Sequence, residues 1–263
     1  MRIDNRYIKR LNKSLWLICW IVATPALMAQ PVSLRVMSMN IKEGGELANY
    51  DAEAYSACIR EYDPDVVVFQ EMDNFTNRNG KKDLLSEMAV QLGMFAYFGK
   101  AFSYGGGDFG NAILSKYPFY NAKTITSKSA AAEVRSCAWI DMVLPNKRKV
   151  RVAVTHLDVS GDSQGRISML AAINKNILDE HELPTLLIGD FNATPDSDTM
   201  NYAKFKWQDI GAGTGNTIPS NNPESRIDYV MGNPSNWIKK KYDVVCYPEL
   251  SDHCFIVADV EYP

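Results

Sequence analysis

Several acid–base side chains in this sequence stand where apolar runs stop. Leu186-Leu187-Ile188 breaks at Gly189 and delivers Asp190 and Asn192, Val66-Val67-Val68-Phe69 leads into Gln70-Glu71, and the run 150–154 leads into Thr155-His156. Ser251-Asp252-His253 immediately precedes the apolar run 254–260. A carboxylate such as Asp190 can accept a proton or align a water, and an amide such as Asn192 can donate to a developing anion. One strand ending in Gly-Asp is explained by a capped turn, and Asn40, before Gly44-Gly45, is explained as a turn former. The repetition is harder to explain that way. Ligands of α/β sheets sit outside the carboxyl ends of the strands, and a carboxylate such as Glu71, next to a run buried on both faces, is poorly explained by packing.

Asn40, Glu71, His156, Asp190, Asn192, Asp228, Asp252 and His253 all lie where apolar runs begin or end. A hard divalent cation needs one or two carboxylates and further oxygen ligands, leaving positions for phosphate oxygens, and Glu71 and Asp252 can supply this. The cysteines and histidines show no zinc spacing, and neither G-x-S-x-G nor a Walker loop occurs, so structural zinc, serine acyl transfer and nucleotide-driven motors are disfavoured. Gly105, Gly107 and Gly110 satisfy G-x-G-x-x-G, but they run into a strand where a dinucleotide loop must open a helix. They read as a mobile surface loop beside the site.

The elements that must position these residues alternate. Strand patterns cover 33–39, 66–69, 94–99, 111–115, 134–143, 150–154, 186–188 and 254–260, with 134–143 and 150–154 joined by the Pro145–Lys149 turn. Helical spacing runs from Tyr55 to Tyr62, stopped by Asp63-Pro64, from Leu84 to Leu92, stopped by Gly93, and over 163–180. With 263 residues, 46% of them hydrophobic, and with no repeat or long linker, one α/β domain over 30–263 is expected. Before it, Arg2, Arg6, Lys9, Arg10 and Lys13 precede an uncharged apolar run from Leu15 to Met28 closed by Ala29. That layout is a secretory signal over 1–29, with a retained anchor as the alternative, so the mature chain is expected to be exported, monomeric and without a membrane span. The formal net charge of −3 becomes more negative once these cations are removed, which disfavours general attraction to nucleic acid. Cys58, Cys137, Cys246 and Cys254 remain; Cys246 and Cys254 flank a short loop and are the first pair to inspect, with buried free thiols as the default.

Taken together, Ser38-Met39-Asn40, Phe69-Gln70-Glu71, Thr155-His156-Leu157, Gly189-Asp190-Phe191-Asn192, Arg226-Ile227-Asp228-Tyr229 and Ser251-Asp252-His253 resemble, in order, the motifs of the endonuclease/exonuclease/phosphatase superfamily. The resemblance covers nearly all of the chain after residue 29. It implies a four-layered sandwich, two mixed β-sheets packed face to face with helices outside, and a divalent-metal site at one end. By the same resemblance Glu71 is the main metal ligand, supported by Asn40 and Asp252, with Mg²⁺ as the cofactor and Mn²⁺ as an alternative. Asp190 positions or deprotonates the attacking water, Asn192 and His156 donate to phosphate oxygens, and His253, oriented and kept charged by Asp228, sits over the scissile phosphate.

His156, where abasic-site endonucleases of the superfamily carry tyrosine, argues against base-excision repair. Ala193-Thr194-Pro195 departs from the aromatic-arginine pattern of its inositol phosphatases. The resulting expectation is an exported phosphoester hydrolase, diesterase or monoesterase. An extracellular deoxyribonuclease is the alternative, and a non-catalytic binding module a more distant one, since retention of every motif residue argues against it. Asn111, Arg135 and Arg166 are candidate substrate-binding residues, Arg166 otherwise being an ordinary helix-surface arginine. A nuclease needs basic residues beside the site, for which Lys100, Arg135, Arg151 and Arg166 are available. A lipid-headgroup enzyme needs exposed aromatics, for which Phe102, Tyr104, Phe109 and Trp237 are available.

Overall fold

A computed structural model of the chain describes residues 30–128, 134–160, 163–178 and 183–263. The secretory signal expected over 1–29 lies outside the described residues. The apolar runs form two six-stranded sheets. The first has the order β11 (Ile238–Val245), β12 (Phe255–Tyr262), β1 (Val32–Asn40), β2 (Val66–Asn74), β4 (Gly107–Ser115) and β3 (Phe95–Tyr104). The second has the order β5 (Phe119–Lys128), β6 (Val134–Val143), β7 (Lys149–His156), β8 (Thr185–Asp190), β10 (Asp228–Asn233) and β9 (Gln208–Asp209). Both sheets are mixed, because β1 runs parallel to β2 and β7 parallel to β8 while their other neighbours are antiparallel.

Strands buried on both faces need two apolar partners, and each sheet has them. Between the sheets, Val36, Val68 and Ile113 of the first meet Val152, Ile188 and Val230 of the second. On the outer face of the first sheet, Met37, Met39 and Phe69 pack against Tyr55, Ile59, Leu84 and Met88 from the helices Ala52–Tyr62 and Leu84–Leu92. On the outer face of the second, Trp139, Leu187 and Tyr229 pack against Leu170, Ile173 and Met200 from the helices Ser163–Ile177 and Asp198–Lys204. The four-layered sandwich expected from the motifs is therefore present. The helices start at side-chain caps, Asp51, Asp83 and Ser197, and the first two end at left-handed Asp63 and Gly93.

Four local features differ from the sequence reading. β2 does not stop at Glu71 but bulges there, with a register shift between Phe69 and Met72, and continues to Asn74. β3 extends to Tyr104 and turns through Gly105-Gly106 into β4, and this hairpin tip is tied down by Asn77 N–H to Gly105 O at 2.7 Å and Lys81 Nζ to Gly106 O at 2.8 Å. β5 and β11 were not anticipated; both are sheet edges whose polar residues interrupt any apolar run. Arg151 is not a free cation: its side chain is buried, forks onto Asp141 at 2.5 and 2.8 Å, and donates to Ile177 O at the end of the helix Ser163–Ile177.

Register sets the site. His156 pairs with Asp190 across β7/β8, and Asp228 pairs with Asp190 across β10/β8, so three motif residues fall in one row. β1 ends, and β12 begins, at the same end of the other sheet. Cys246 and Cys254 form a disulfide that closes the segment carrying Asp252 and His253, while Cys58 and Cys137 are free and buried. Cross-linking positions separated by 8 residues is worth about 2–3 kcal/mol against the unfolded chain. Cys246→Ser should lower the unfolding free energy by about that amount in urea titrations without reductant. Coincident midpoints for the two proteins would contradict this.

Candidate active site

Asp190 is the hub. Its carboxylate is buried at the end of β8, and its Oδ2 accepts from Asn40 Nδ2 at 3.2 Å while lying 3.4 Å from His156 Nε2 and 3.8 Å from His253 Nε2. Its Oδ1 accepts from the Asn192 backbone N–H at 2.8 Å. Two backbone features make this possible. Gly189 has φ 142°, and a Cβ there would stand 2.0 Å from Thr155 O, so only glycine lets β8 lie this close to β7. Asn192 has φ 48°, a left-handed turn that asparagine tolerates, and its Nδ2 donates to Leu157 O at 3.0 Å.

The two histidines are held in opposite states. His253 Nδ1 faces Asp228 Oδ2 at 2.9 Å, and its backbone N–H donates to Ser251 Oγ. Burial opposes the charge on this ring, but the Asp228 carboxylate, by charge and hydrogen bond, outweighs it and lifts His253 to about 10. Burial, then the Arg135 guanidinium and His253, push His156 well below its usual value. The neutral ring lies between donors, Nδ1 3.2 Å from Arg135 Nη1 and Nε2 3.0 Å from Asn192 Nδ2, which is a further reason for it to stay uncharged. His156 is thus neutral and His253 cationic. Burial, with Asp228 nearby, raises Asp190 to about 7, against the pull of His253 and the Asn192 N–H, which places it in the range of a working base.

Beside this group lies an acidic pair. Glu71 sits at φ 62° in the β2 bulge, a left-handed conformation that turns its carboxylate towards β1. Its Oε1 accepts from Asn40 Nδ2 at 3.3 Å and its Oε2 from Glu43 N–H at 2.7 Å. Asp252 Oδ2 lies 3.4 Å from Lys42 Nζ, while its buried Oδ1 has no hydrogen-bond partner among the described residues. A buried carboxylate oxygen without a donor, lining the same cavity as a second carboxylate, fits a hard divalent cation. Asp190, Asp228 and His253 also bring ligand atoms within 4.8 Å of one another. That trio fits a metal less well, because His253 is held charged and spends Nδ1 on Asp228.

Glu71, His156, Asp190, Asn192, Asp252, His253 and Arg135 all line one cavity of about 410 Å³, with Asn40 and Asp228 directly behind. Two expected substrate residues do not line it. Asn111 is buried between the sheets, donating to Ser136 O at 2.8 Å. Arg166 is neither at the cavity nor on the helix surface: it is buried and donates to the carbonyls of Asp158 and Ser160 and to Thr199 Oγ1, fixing the chain just after His156. Lys100 pairs with Asp108 on the β3/β4 hairpin, and Trp237 is core, packed on Tyr262. Phe102, Tyr104 and Phe109 do line the cavity. The sequence reading missed Lys42, Glu43 and Arg78, which also line it; their one signal was proximity in the chain to Asn40 and Glu71.

Residues 37–253 match the Endonuclease/Exonuclease/phosphatase family, and the chain belongs to it. Members of this family are divalent-metal-dependent hydrolases of phosphoester bonds. Among solved structures, a family protein from Bacteroides thetaiotaomicron is similar at 18% identity and a TM-score of 0.72, over 89% of this chain and 99% of that one. A mannosyl-6-phosphatase from Bacteroides thetaiotaomicron VPI-5482 is similar at 18% identity and 0.70, over 86% and 99%. TDP2 from D. rerio, complexed with a single-strand DNA product, is similar at 17% and 0.68, over 87% and 98%. A search of curated protein sequences gives no match.

Asp228→Asn keeps the shape of the Asp228–His253 pair and removes the charge that keeps His253 cationic. Phosphoester turnover should fall on the order of 10²-fold with the circular dichroism spectrum unchanged. Full turnover in a folded variant would show that the His253 charge is not used.

Proposed function

We propose that the chain is an exported, Mg²⁺-dependent hydrolase of a small phosphoester, with Mn²⁺ able to substitute. The observation that carries this is the Asp190 carboxylate, raised to about 7 and ringed by Asn40, His156 and His253. Asn192 and His156, in contact with each other, line the cavity beside the cationic His253, which can donate to a phosphoryl oxygen there. Asp190 takes a proton from a water as its oxygen bonds to phosphorus, and the ester oxygen leaves on the opposite side and is protonated by solvent. A divalent cation held by Glu71 and Asp252, with Asn40, would neutralise charge on the phosphate.

Two features favour a small ester over nucleic acid. The net charge is −3, and of the four basic residues expected for a nuclease only Arg135 lines the cavity, while Lys42 and Arg78, which also line it, are paired with carboxylates. The likeness to a mannosyl-6-phosphatase agrees, though at 18% identity it carries the fold alone. The deoxyribonuclease reading retains the likeness to a protein bound to single-strand DNA. Export is supported by the cationic and apolar order of residues 1–29 and by the Cys246–Cys254 disulfide, which suits an oxidising compartment. No helix among the described residues is long and apolar enough to cross a membrane.

The test is hydrolysis of hexose phosphates, inositol phosphates, bis-p-nitrophenyl phosphate, sphingomyelin and plasmid DNA, with Mg²⁺, Mn²⁺ or EDTA. Turnover of the small esters should stop in EDTA and in Asp190→Ala, and Glu71→Ala should weaken activity and metal dependence together, on the order of 10²-fold. Activity that survives EDTA, or activity on DNA alone, would overturn the reading.

A further inference from the structure

One wall of the cavity is unused by the chemistry above. Phe102 and Tyr104, from the end of β3, stand with their rings at right angles, 82° and 6.3 Å between centroids, and Phe109 of β4 packs behind Phe102 at 5.3 Å. Tyr104 is 45% exposed, and its hydroxyl makes no hydrogen bond among the described residues. An aromatic corner open to a catalytic cavity is an expensive surface to leave to water unless something packs on it.

The wall is also braced. Arg78 lies 4.7 Å from the Tyr104 ring centroid and 5.7 Å from that of Phe109, and it forks onto the buried Asp73 carboxylate at 2.6 and 2.8 Å. Its remaining nitrogen donates to Glu43 at 3.0 Å. Gly44, at φ 76°, lets the backbone next to Glu43 press on Asp73, where a Cβ would come within 2.5 Å. Glu43 in turn donates its N–H to Glu71, so the wall is coupled directly to the acidic pair.

This arrangement selects by charge. Arg78 is neutralised by two carboxylates, so it offers no net attraction to a second phosphate, and the half-exposed Glu43 carboxylate repels one. The wall therefore disfavours a second anion, and a neutral group with a flat apolar face for Phe102 and Tyr104 and hydroxyls for Glu43 and the Tyr104 hydroxyl fits it. We propose that Phe102, Tyr104 and Glu43 form a leaving-group subsite that receives the neutral, hydroxylated ring of a sugar phosphate. The inference rests on the phosphoester reading above and adds the part of the ester that is recognised.

The experiment compares kcat and KM for a hexopyranose 6-phosphate and for glycerol 3-phosphate, which has the same phosphate and no ring, in wild type, Phe102→Ala, Tyr104→Ala and Tyr104→Phe. The wild type should prefer the ring ester. Tyr104→Ala and Phe102→Ala should each lower kcat/KM for it about tenfold, chiefly through KM, and leave glycerol 3-phosphate unchanged. Tyr104→Phe, which keeps the ring, should show a smaller loss confined to the sugar. Equal losses on both esters, or none on the ring ester, would overturn the subsite while leaving the phosphoesterase reading intact. Absence of wild-type hydrolysis of any ester in either panel would overturn both.

Discussion

A carboxylate buried between two sheet ends is the constraint on which the rest of this structure depends. Asp190 is 1% exposed, and a charge in that position is tolerated only with donors around it. The groups around it come from both sheets: Asn40 from β1 and the Asn192 backbone from the turn after β8 donate to it, and His156 from β7 and His253 from the segment before β12 stand beside it. The site therefore ties the two sheets together. Each of the three side chains has a second partner, Arg135 for His156, Asp228 for His253 and Glu71 for Asn40. Moving one sheet relative to the other would strip Asp190 of half its partners.

The backbone is bent where the chemistry needs it. Glu71 at φ 62° and Asn192 at φ 48° are residues in left-handed positions that ordinary side chains avoid, and both sit at the cavity. In each case the surrounding bonds over-determine the conformation. Glu71 is held by Asn40 and by the Glu43 N–H, and Asn192 by Asp190 and Leu157. The bulge that places Glu71 lies in the middle of a nine-residue strand, so the carboxylate projects from an element fixed on both sides rather than from a free loop.

Much of this was legible in the sequence, and the reason is period. Strands buried on both faces read as continuous apolar runs, so β1, β2, β7, β8 and β12, which carry or adjoin the site, were visible, and the six motifs supplied the sandwich. β5 and β11 were not, because an edge strand with a solvated face mixes Lys, Thr and Asn into its pattern. Residue type also misled where partners are remote in sequence. Arg151 and Arg166 are cations by composition, but one is matched to Asp141 and the other caps carbonyls. Lys42, Glu43 and Arg78 were missed for the same reason reversed: they sit in irregular stretches with no period, and only the fold brings them to the cavity.

Arg78 shows why counting charges is a poor guide to what such a cavity binds. By composition it adds a positive charge beside the acidic pair, and a phosphate-binding role would follow. Its partners weaken that role: Asp73 engages Nε and Nη2 in a buried fork, and Glu43 engages Nη1. What remains is a flat guanidinium under an aromatic ring, which stiffens Tyr104 and contributes shape rather than charge. The other cations at the cavity are Lys42, which pairs with Asp252, His253, charged because of Asp228, and Arg135, beside His156. On the proposed reading the cavity would divide at the Glu71–Glu43 link into a half that receives an anion and a half that rejects one. A substrate satisfying both halves would carry its negative charge at one end only.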